Sequence, residues 1–400
     1  MSWGTSKLGD LAFIKTGKLD SNVAVENGLY PFFTCDPRTL SINTWAYDTE
    51  AVLLAGNNAS GNYTAKYYNG KFNAYQRTYI IESLDKVLLN VRFLSYAITQ
   101  QLRLLKTMSS GSTTKFLTIG MLHNLEIPLP SIEIQKKIVD ILSAYDALIE
   151  NNRTQIKLLE EAAQRLYKEW FVDLCFPGHE DTAIVDSVPS GWKRVSLKDM
   201  IGYEIGGGWG SEVPTKDCDF PAYVIRGTDL FGLAHGDLTE IPYRFHEKSN
   251  LKSRQLMDGD IIFEVSGGSK TEGVARTALI RQRLLDTFRS PVICASFCKL
   301  IRVENKEHAQ YLYDTLQHLR RSGKTVEFDK RSASSIVNYR WKDFLQQQAI
   351  LIPEQSILIH YNKLAEEIYQ KILVCSIQIM QIKTARDNIL PKLISGELEV

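Results

Sequence analysis

An internal repeat constrains this chain more than any other feature of its sequence. Pro130 and Pro353 each close a short β-like run, residues 125–129 and 348–352, and a long amphipathic segment follows each proline. With one proline set on the other, the two segments align without a gap. Ile134 falls on Ile357, Ile141 on Leu364, Ile149 on Ile372, Ile156 on Ile379, Leu159 on Ile382 and Leu166 on Ile389. In both segments a mostly apolar set recurs at alternating steps of four and three, the spacing of a coiled-coil seam. The first seam runs Ile134, Ile138, Ile141, Tyr145, Leu148, Asn152, Gln155, Leu159, Ala162, Leu166. The second runs Ile357, Tyr361, Leu364, Ile368, Lys371, Cys375, Gln378, Ile382, Ala385, Ile389. A helix of about 40 residues is roughly 60 Å long, more than the width of a small domain. It has to pack outside its own domain, and two equivalent seams favour packing on each other.

The repeat extends upstream of the helices. Trp3, Leu8 and Asp10 match Trp192, Leu197 and Asp199 at one offset. Tyr30-Pro31-Phe32 resembles Phe220-Pro221-Ala222, and the strand-like residues 50–54 resemble residues 260–264. Each of the latter leads into a polar, glycine-bearing loop, residues 56–63 and 266–271. The expected fold class is α+β: two domains separated by an antiparallel pair of long coiled-coil helices, with a pseudo-two-fold internal repeat. The expected divisions are a first domain at 1–130, a helix at 131–175, a linker at 176–189, a second domain at 190–352 and a second helix at 353–400. Helices over 132–172 and 355–395 have their midpoints at Asn152 and Cys375. Antiparallel pairing then predicts that Asn152 meets Cys375 and that Leu166 lies near Tyr361. A polar residue in an apolar seam can fix such a register.

Composition narrows the function classes. Hydrophobic residues at 44% and charged residues at 23% suit a soluble protein with real cores. No apolar run reaches the ~18 residues of a membrane span, and the first residues lack the apolar core of a signal peptide. The six cysteines contain no C-x-x-C pair, which points to reduced, mostly buried thiols and a cytoplasmic location rather than to disulfides or zinc. Net charge is +1 overall but alternates by segment: +3 over 1–130, −5 over 131–189, +4 over 190–352 and −1 over 353–400. That alternation assigns any polyanion to the two domains and not to the helices.

Catalytic motifs are missing. The chain has no N-P-P-[FY] or D-P-P-Y run for amino methylation and no Glu-x-Lys nuclease pairing after a strand. Gly323-Lys324-Thr325 resembles the end of a phosphate loop, but His318 stands where the partner glycine belongs. The run Gly206-Gly207-Gly208-Trp209-Gly210 lacks the strand–loop–helix spacing and reads as a tight turn with close backbone approach. Cys294 and Cys298 have no histidine pair nearby and read as strand core, and His179 reads as a turn after the helix. A fused or stand-alone DNA-modifying enzyme, or a scaffold with degenerate recognition domains, are the rival classes. No metal site and no cofactor is expected on this chain.

Several motifs carry a family resemblance. Ile134-Gln135-Lys136-Lys137-Ile138, Leu158-Leu159-Glu160, Trp170-Phe171-Val172-Asp173 and Phe176-Pro177-Gly178-His179-Glu180 resemble the central conserved region of type I restriction–modification specificity subunits. Residues 389–398, Ile-Leu-Pro-Lys-Leu-Ile-Ser-Gly-Glu-Leu, resemble their distal conserved region. The resemblance implies that each domain is a target-recognition domain reading one half of a split double-stranded DNA site. It implies that the helix pair sets the spacing and binds two modification subunits, which carry S-adenosylmethionine and methylate adenine. Restriction/translocase subunits using ATP and Mg would complete the complex, and this chain would catalyse nothing.

Loops at equivalent points of the two domains are the candidate readers. In the first domain they supply Asn57, Asn58, Ser60, Asn62, Tyr63, Lys66, Gln76, Arg77, Ser112, Thr113 and Lys115. In the second they supply Arg226, Ser266, Ser269, Lys270, Arg276, Arg320, Arg321, Lys324, Lys330 and Arg331. Asparagine can pair bidentately with adenine in the major groove, and basic residues supply phosphate contacts.

Overall fold

The computed structural model describes residues 3–58, 61–109, 115–235, 238, 241–267, 273–331 and 336–400. The chain divides into two compact units, residues 1–148 with 382–400, and residues 149–381.

Unit 1 begins with β1 (Thr5–Lys7), α1 (Leu8–Leu11), β2 (Ala12–Thr16), β3 (Tyr30–Phe33), β4 (Leu40–Ile42), β5 (Tyr47–Ala55), β6 (Asn57–Asn58), β7 (Ala65–Ala74) and β8 (Thr78–Ser83). It continues through α2 (Val91–Gln100), α3 (Leu102–Met108), β9 (Lys115–Phe116), α4 (Ile119–His123) and β10 (Glu126–Pro128) into the long α5 (Ile132–Phe171). The main sheet has the order β2-β8-β5-β7-β3-β4, in which β3 lies parallel to β7. β1 pairs with β10 just ahead of the long helix.

Unit 2 holds a small hairpin, β11 (Ile184–Val185) with β12 (Val188–Pro189), then β13 (Lys193–Ser196), β14 (Ile201–Gly206), β15 (Phe220–Ile225), α6 (Leu230–Ala234), β16 (Tyr243–His246) and α7 (Lys248–Arg254). β17 (Ile261–Glu264), β18 (Ser266–Gly267), β19 (Thr277–Leu279), α8 (Gln282–Leu285), β20 (Val292–Cys294), β21 (Cys298–Val303) and α9 (Ala309–Arg321) follow. β22 (Asp329–Arg331), β23 (Val337–Tyr339), α10 (Trp341–Gln347) and β24 (Ala349–Ile352) lead into α11 (Gln355–Ser395). The pairings repeat those of unit 1. β13 pairs with β24 ahead of the long helix, and β14-β21-β17-β19 repeats β2-β8-β5-β7. The ten-residue β7 serves both β5 and β3, whereas unit 2 divides that work between β19, antiparallel to β17, and β20, parallel to β15. The extra residues around α8 separate the two pieces.

Glycine marks one equivalent point in each unit. The N–H groups of Gly17 and Gly207, just after β2 and β14, donate to the carbonyls of Thr78 and Cys298 at 3.1 and 2.9 Å. A Cβ would stand 2.2 Å from the carbonyl oxygen of Ala74 in the first case and of Ala295 in the second. No side chain fits there, which is the close backbone approach expected for residues 206–210. Gly323, with φ of 76°, lies in the left-handed region just past α9, so Gly323-Lys324-Thr325 is a helix-ending turn.

Each core is closed by the start of one long helix and the end of the other. In unit 1, Leu8, Val52, Ile81, Phe93 and Ile127 pack with Ile138 and Leu142 of α5 and with Leu390, Leu393 and Ile394 of α11. In unit 2, Phe263, Ile301, Leu312 and Phe344 pack with Tyr167, Trp170 and Phe171 of α5 and with Leu358, Tyr361 and Ala365 of α11. The helices run antiparallel: Asp146 meets Arg386 at 2.8 Å in unit 1, and Trp170 meets His360 in unit 2. Gln135 is fully buried near the start of α5. Its amide accepts from the N–H of Asn90 and donates to the carbonyls of Leu88 and Pro130, each at 2.9 Å, tying the helix to the N-terminus of α2.

The buried stripe differs from the expected seam at alternate positions. On α5, Gln135, Ile138, Leu142, Ile149, Asn152, Ile156, Ala163 and Trp170 are buried, while Ile141 is 36% and Leu148 51% exposed. On α11, Leu358, Tyr361, Ala365, Ile372, Cys375, Ile379 and Leu393 are buried. Ile134, Tyr145, Leu159, Leu166, Leu364, Ile368, Ile382 and Ile389 are half-buried. The two stripes match at the offset that sets Pro130 on Pro353, Gln135 falling on Leu358 and Trp170 on Leu393. Ile141-Leu142 and Leu148-Ile149 are adjacent apolar pairs. Period alone cannot choose between neighbours, and packing chose the second of each.

Side-chain contacts near the helix midpoints bear on the register. The Cys375 thiol lies 3.8 Å from the side-chain oxygen of Gln155, one helical turn on from Asn152, and Tyr361 packs on Tyr167, Trp170 and Phe171 in a cluster that Leu166 also joins. A disulfide needs Cα atoms within ~7 Å. Gln155→Cys is therefore expected to crosslink to Cys375 on oxidation more readily than Asn152→Cys. Mass mapping of the oxidised variants compares the two.

α11 is held in unit 2 by a buried carboxylate. Asp314 of α9, 2% exposed, accepts from Gln310 Nε2 at 2.8 Å, from the Tyr361 hydroxyl at 2.6 Å and from the Tyr369 hydroxyl. Burial pushes its pKa up to about 6, against the pull of those three donors and of Arg321. The folded state thus holds the Asp314 proton more tightly than the unfolded chain. The stability this adds at low pH is lost as pH rises from about 4 through about 6, on the order of 2–3 kcal/mol. Urea titrations of the native chain and of Asp314→Asn are expected to diverge by that amount across this window, with the native chain losing ground as pH rises.

Candidate nucleic-acid interface

In unit 1 three segments are sewn together at the end of β5. The Gly56 N–H donates to the Arg77 carbonyl at 2.8 Å, and the Gly56 carbonyl accepts from the Leu117 N–H at 2.8 Å. Beyond that point β6 pairs with β9, setting Asn57 opposite Phe116 and Asn58 opposite Lys115. The Asn58 side-chain oxygen accepts from the Asn62 N–H at 3.1 Å, and the Asn62 side-chain oxygen accepts from Lys106 Nζ at 2.7 Å. Gly61 adopts φ of 73°, and a Cβ there would sit 3.1 Å from Lys106 Cγ and 3.4 Å from Lys115 Cγ. The result is a tip with three carboxamides and two lysines, next to the exposed Arg77 and the 41% exposed Phe116. Amides that both donate and accept, ringed by cations, suit base edges flanked by phosphates.

Unit 2 builds the same junction. The N–H of Val265 donates to the Phe297 carbonyl at 2.9 Å, and the Val265 carbonyl accepts from the Tyr339 N–H at 2.9 Å. β18 pairs with β23, and β23 with β22, so that Ser266 and Lys330 both lie opposite Asn338. The Ser266 hydroxyl donates to the Asn338 side-chain oxygen at 2.8 Å. Val265, Phe297 and Tyr339 thus occupy the places of Gly56, Arg77 and Leu117.

Several expected readers turn inward. Tyr63 is 5% exposed and packs in the unit 1 core. Lys66 Nζ donates to the Asp36 carbonyl at 3.1 Å and the Thr39 hydroxyl at 3.3 Å, and burial lowers its pKa. Arg226 grips Asp229 with Nε at 2.9 Å and Nη2 at 2.7 Å. Arg276 makes a bidentate pair with the buried Glu264 at 2.8 and 2.6 Å. Both guanidinium groups are thus engaged by carboxylates of the chain itself. Arg276, Arg320 and Arg321 also line a cleft of about 430 Å³ with Glu160 of α5 and Tyr369 of α11. Lys324 and Lys330 are exposed, and Arg331 ends β22. Ser60, Ser112, Thr113, Ser269 and Lys270 lie outside the described residues.

Lys106, Asn338, Phe116 and Phe297 were missed. Asn338 lies 72 residues from Ser266 and Lys106 lies 44 from Asn62, so no local pattern links either pair. All six cysteines are free thiols, with Cys294 and Cys298 in the strand core. Among the described residues no helix is long and apolar enough to cross a membrane.

The comparisons with known proteins agree with this layout. Residues 1–161 match the family model described as the type I restriction modification DNA specificity domain. The chain is 38% identical over 165 residues to the EcoDI specificity subunit of Escherichia coli, covering 41% of this chain and 36% of that one. It is 31% identical over 302 residues to the MjaIX specificity subunit of Methanocaldococcus jannaschii, covering 74% of this chain and 66% of that one. The chain therefore spans less than two thirds of the length of these relatives. In structure it is similar to the type I restriction–modification S subunit of M. genitalium, with a TM-score of 0.58 at 16% identity over 98% of this chain and 96% of that one, a likeness of fold. With the repeat, the shared junction and these matches together, the chain belongs to the specificity subunits of type I restriction–modification systems.

Proposed function

We propose that this chain reads a split double-stranded DNA target and directs adenine methylation there by partner subunits. Residues 1–130 form the first recognition domain and residues 190–352 the second, each reading one half. The helical segments 131–175 and 353–400 carry two modification subunits, which bring S-adenosylmethionine. Restriction/translocase subunits bring ATP and Mg, and the assembly works in the cytoplasm. The chain itself binds no cofactor and performs no chemistry.

One observation carries this reading. Topologically equivalent junctions, at Gly56 and at Val265, present polar tips of different composition. Two readers of one architecture with different side chains suit a target whose halves differ in sequence. The test is co-expression with a modification subunit, followed by mapping of methylated adenines. A single bipartite motif that depends on this chain is the expected result. Methyl transfer from labelled S-adenosylmethionine to DNA by the purified chain alone would overturn the non-catalytic assignment, and methylation without a motif would overturn the reading role.

A further inference from the structure

The turn that ends at β8 in unit 1 and at β21 in unit 2 is one structural element used twice. The N–H of Thr78 donates to the Tyr75 carbonyl at 2.8 Å, and the N–H of Cys298 donates to the Ala295 carbonyl at 2.8 Å. The third residue of each turn is Arg77 and Phe297, and the backbone carbonyl of each is held by the junction, Phe297 by both Val265 and Ser266. Both side chains project from a backbone pinned on two sides. Phe297 is 55% exposed, next to the Ser266–Asn338 pair. An exposed phenylalanine on a rigid turn does nothing for the core, and it replaces the arginine that unit 1 presents at the same place.

We propose that Phe297 is a specificity-determining residue of the second recognition domain and makes an apolar contact with the C5-methyl group of a thymine. The inference rests on the DNA-reading role proposed above and assigns the base class met at this turn. A phenyl ring has no hydrogen-bonding group, and in the major groove the methyl of thymine is the one apolar base feature. The guanidinium of Arg77 suits the paired acceptors of guanine. The same turn therefore selects different bases in the two halves by exchange of one side chain.

The experiment uses the complete complex with its modification subunits and duplexes carrying the mapped target. Each thymine of the second half-site is replaced in turn by deoxyuridine, which lacks only the methyl group. With the native chain, one replacement is expected to weaken binding about fourfold, the value of one buried methyl-sized group. Phe297→Ala is expected to bind the thymine duplex about as weakly as the native chain binds that deoxyuridine duplex, and to ignore the replacement. Phe297→Leu is expected to keep the sensitivity. A thermal melt of Phe297→Ala should match the native chain, since the ring lies outside the core. The proposal is overturned if Phe297→Ala binds the thymine duplex with native affinity, if it stays sensitive to deoxyuridine at the same position, or if the second half-site contains no thymine. A native complex without any sequence preference would instead remove the DNA-reading role itself.

Discussion

Replacing Asn57, Asn58 and Asn62 together with alanine is expected to change one half of the methylated target and leave the other half as it was. A bidentate asparagine–adenine pair is worth ~1–3 kcal/mol of discrimination, so each lost pair weakens binding about five- to 150-fold at its own base. Lys106 grips the Asn62 side-chain oxygen, and the Asn58 side chain caps the Asn62 backbone. The triple variant therefore frees the tip as well as removing its amides. Lys106→Ala tests the scaffold separately. Loss of a cation near phosphates weakens binding across all sequences and lowers its salt dependence. Alanine at Asn338 and Lys270 is expected to act only on the opposite half. Methylome sequencing of each variant in the complete complex reads the outcome. Joint change of both halves in every variant would rule out two independent readers.

The largest loss of stability is expected from Tyr361→Ala. Tyr361 is fully buried, its ring centroid 4.7 Å from that of Phe171 and 5.9 Å from that of Trp170. Truncating an aromatic ring in a packed core costs ~3–5 kcal/mol. The hydroxyl also donates to the buried Asp314 carboxylate, and losing a bond to a charged group adds ~1.5–3 kcal/mol. Tyr361→Phe should show only the second cost. Most domains are stable by 5–15 kcal/mol, so the alanine variant is expected to unfold unit 2 at ordinary temperature or close to it. Urea denaturation followed by tryptophan fluorescence measures both. An alanine variant within about 1 kcal/mol of the native chain would show that the aromatic cluster repacks.

Much of the architecture was legible because the sequence contains it twice. The offset between Pro130 and Pro353 predicted two helices, and they span Ile132–Phe171 and Gln355–Ser395. Residues 50–54 and 260–264 predicted two strands, and they lie in or at the start of β5 and β17, each followed by the short strand of a junction. The matching of Tyr30-Pro31-Phe32 with Phe220-Pro221-Ala222 led to β3 and β15, which each lie parallel to a later strand. Repetition identifies these elements without any knowledge of how they pack.

By itself the sequence determined the repeat, the two long helices, their antiparallel pairing and the placing of two polar loops at equivalent points. Tertiary structure alone decided which face of each helix is buried. Ile141 and Leu142 are about 100° apart on an α-helix, both are apolar, and only packing in the unit 1 core selects Leu142. It set which side chains meet across the helix pair, since Gln155 and Cys375 are 220 residues apart and no local signal links them. It also decided which cations remain available at the tips. Arg226, with Asp229 three residues on, could have been paired from sequence, but the partner of Arg276, Glu264, lies across a loop at 12 residues' separation. A buried carboxylate is costly without a partner, so folding draws Arg276 to Glu264, and composition cannot reveal that a basic residue has been taken for the interior.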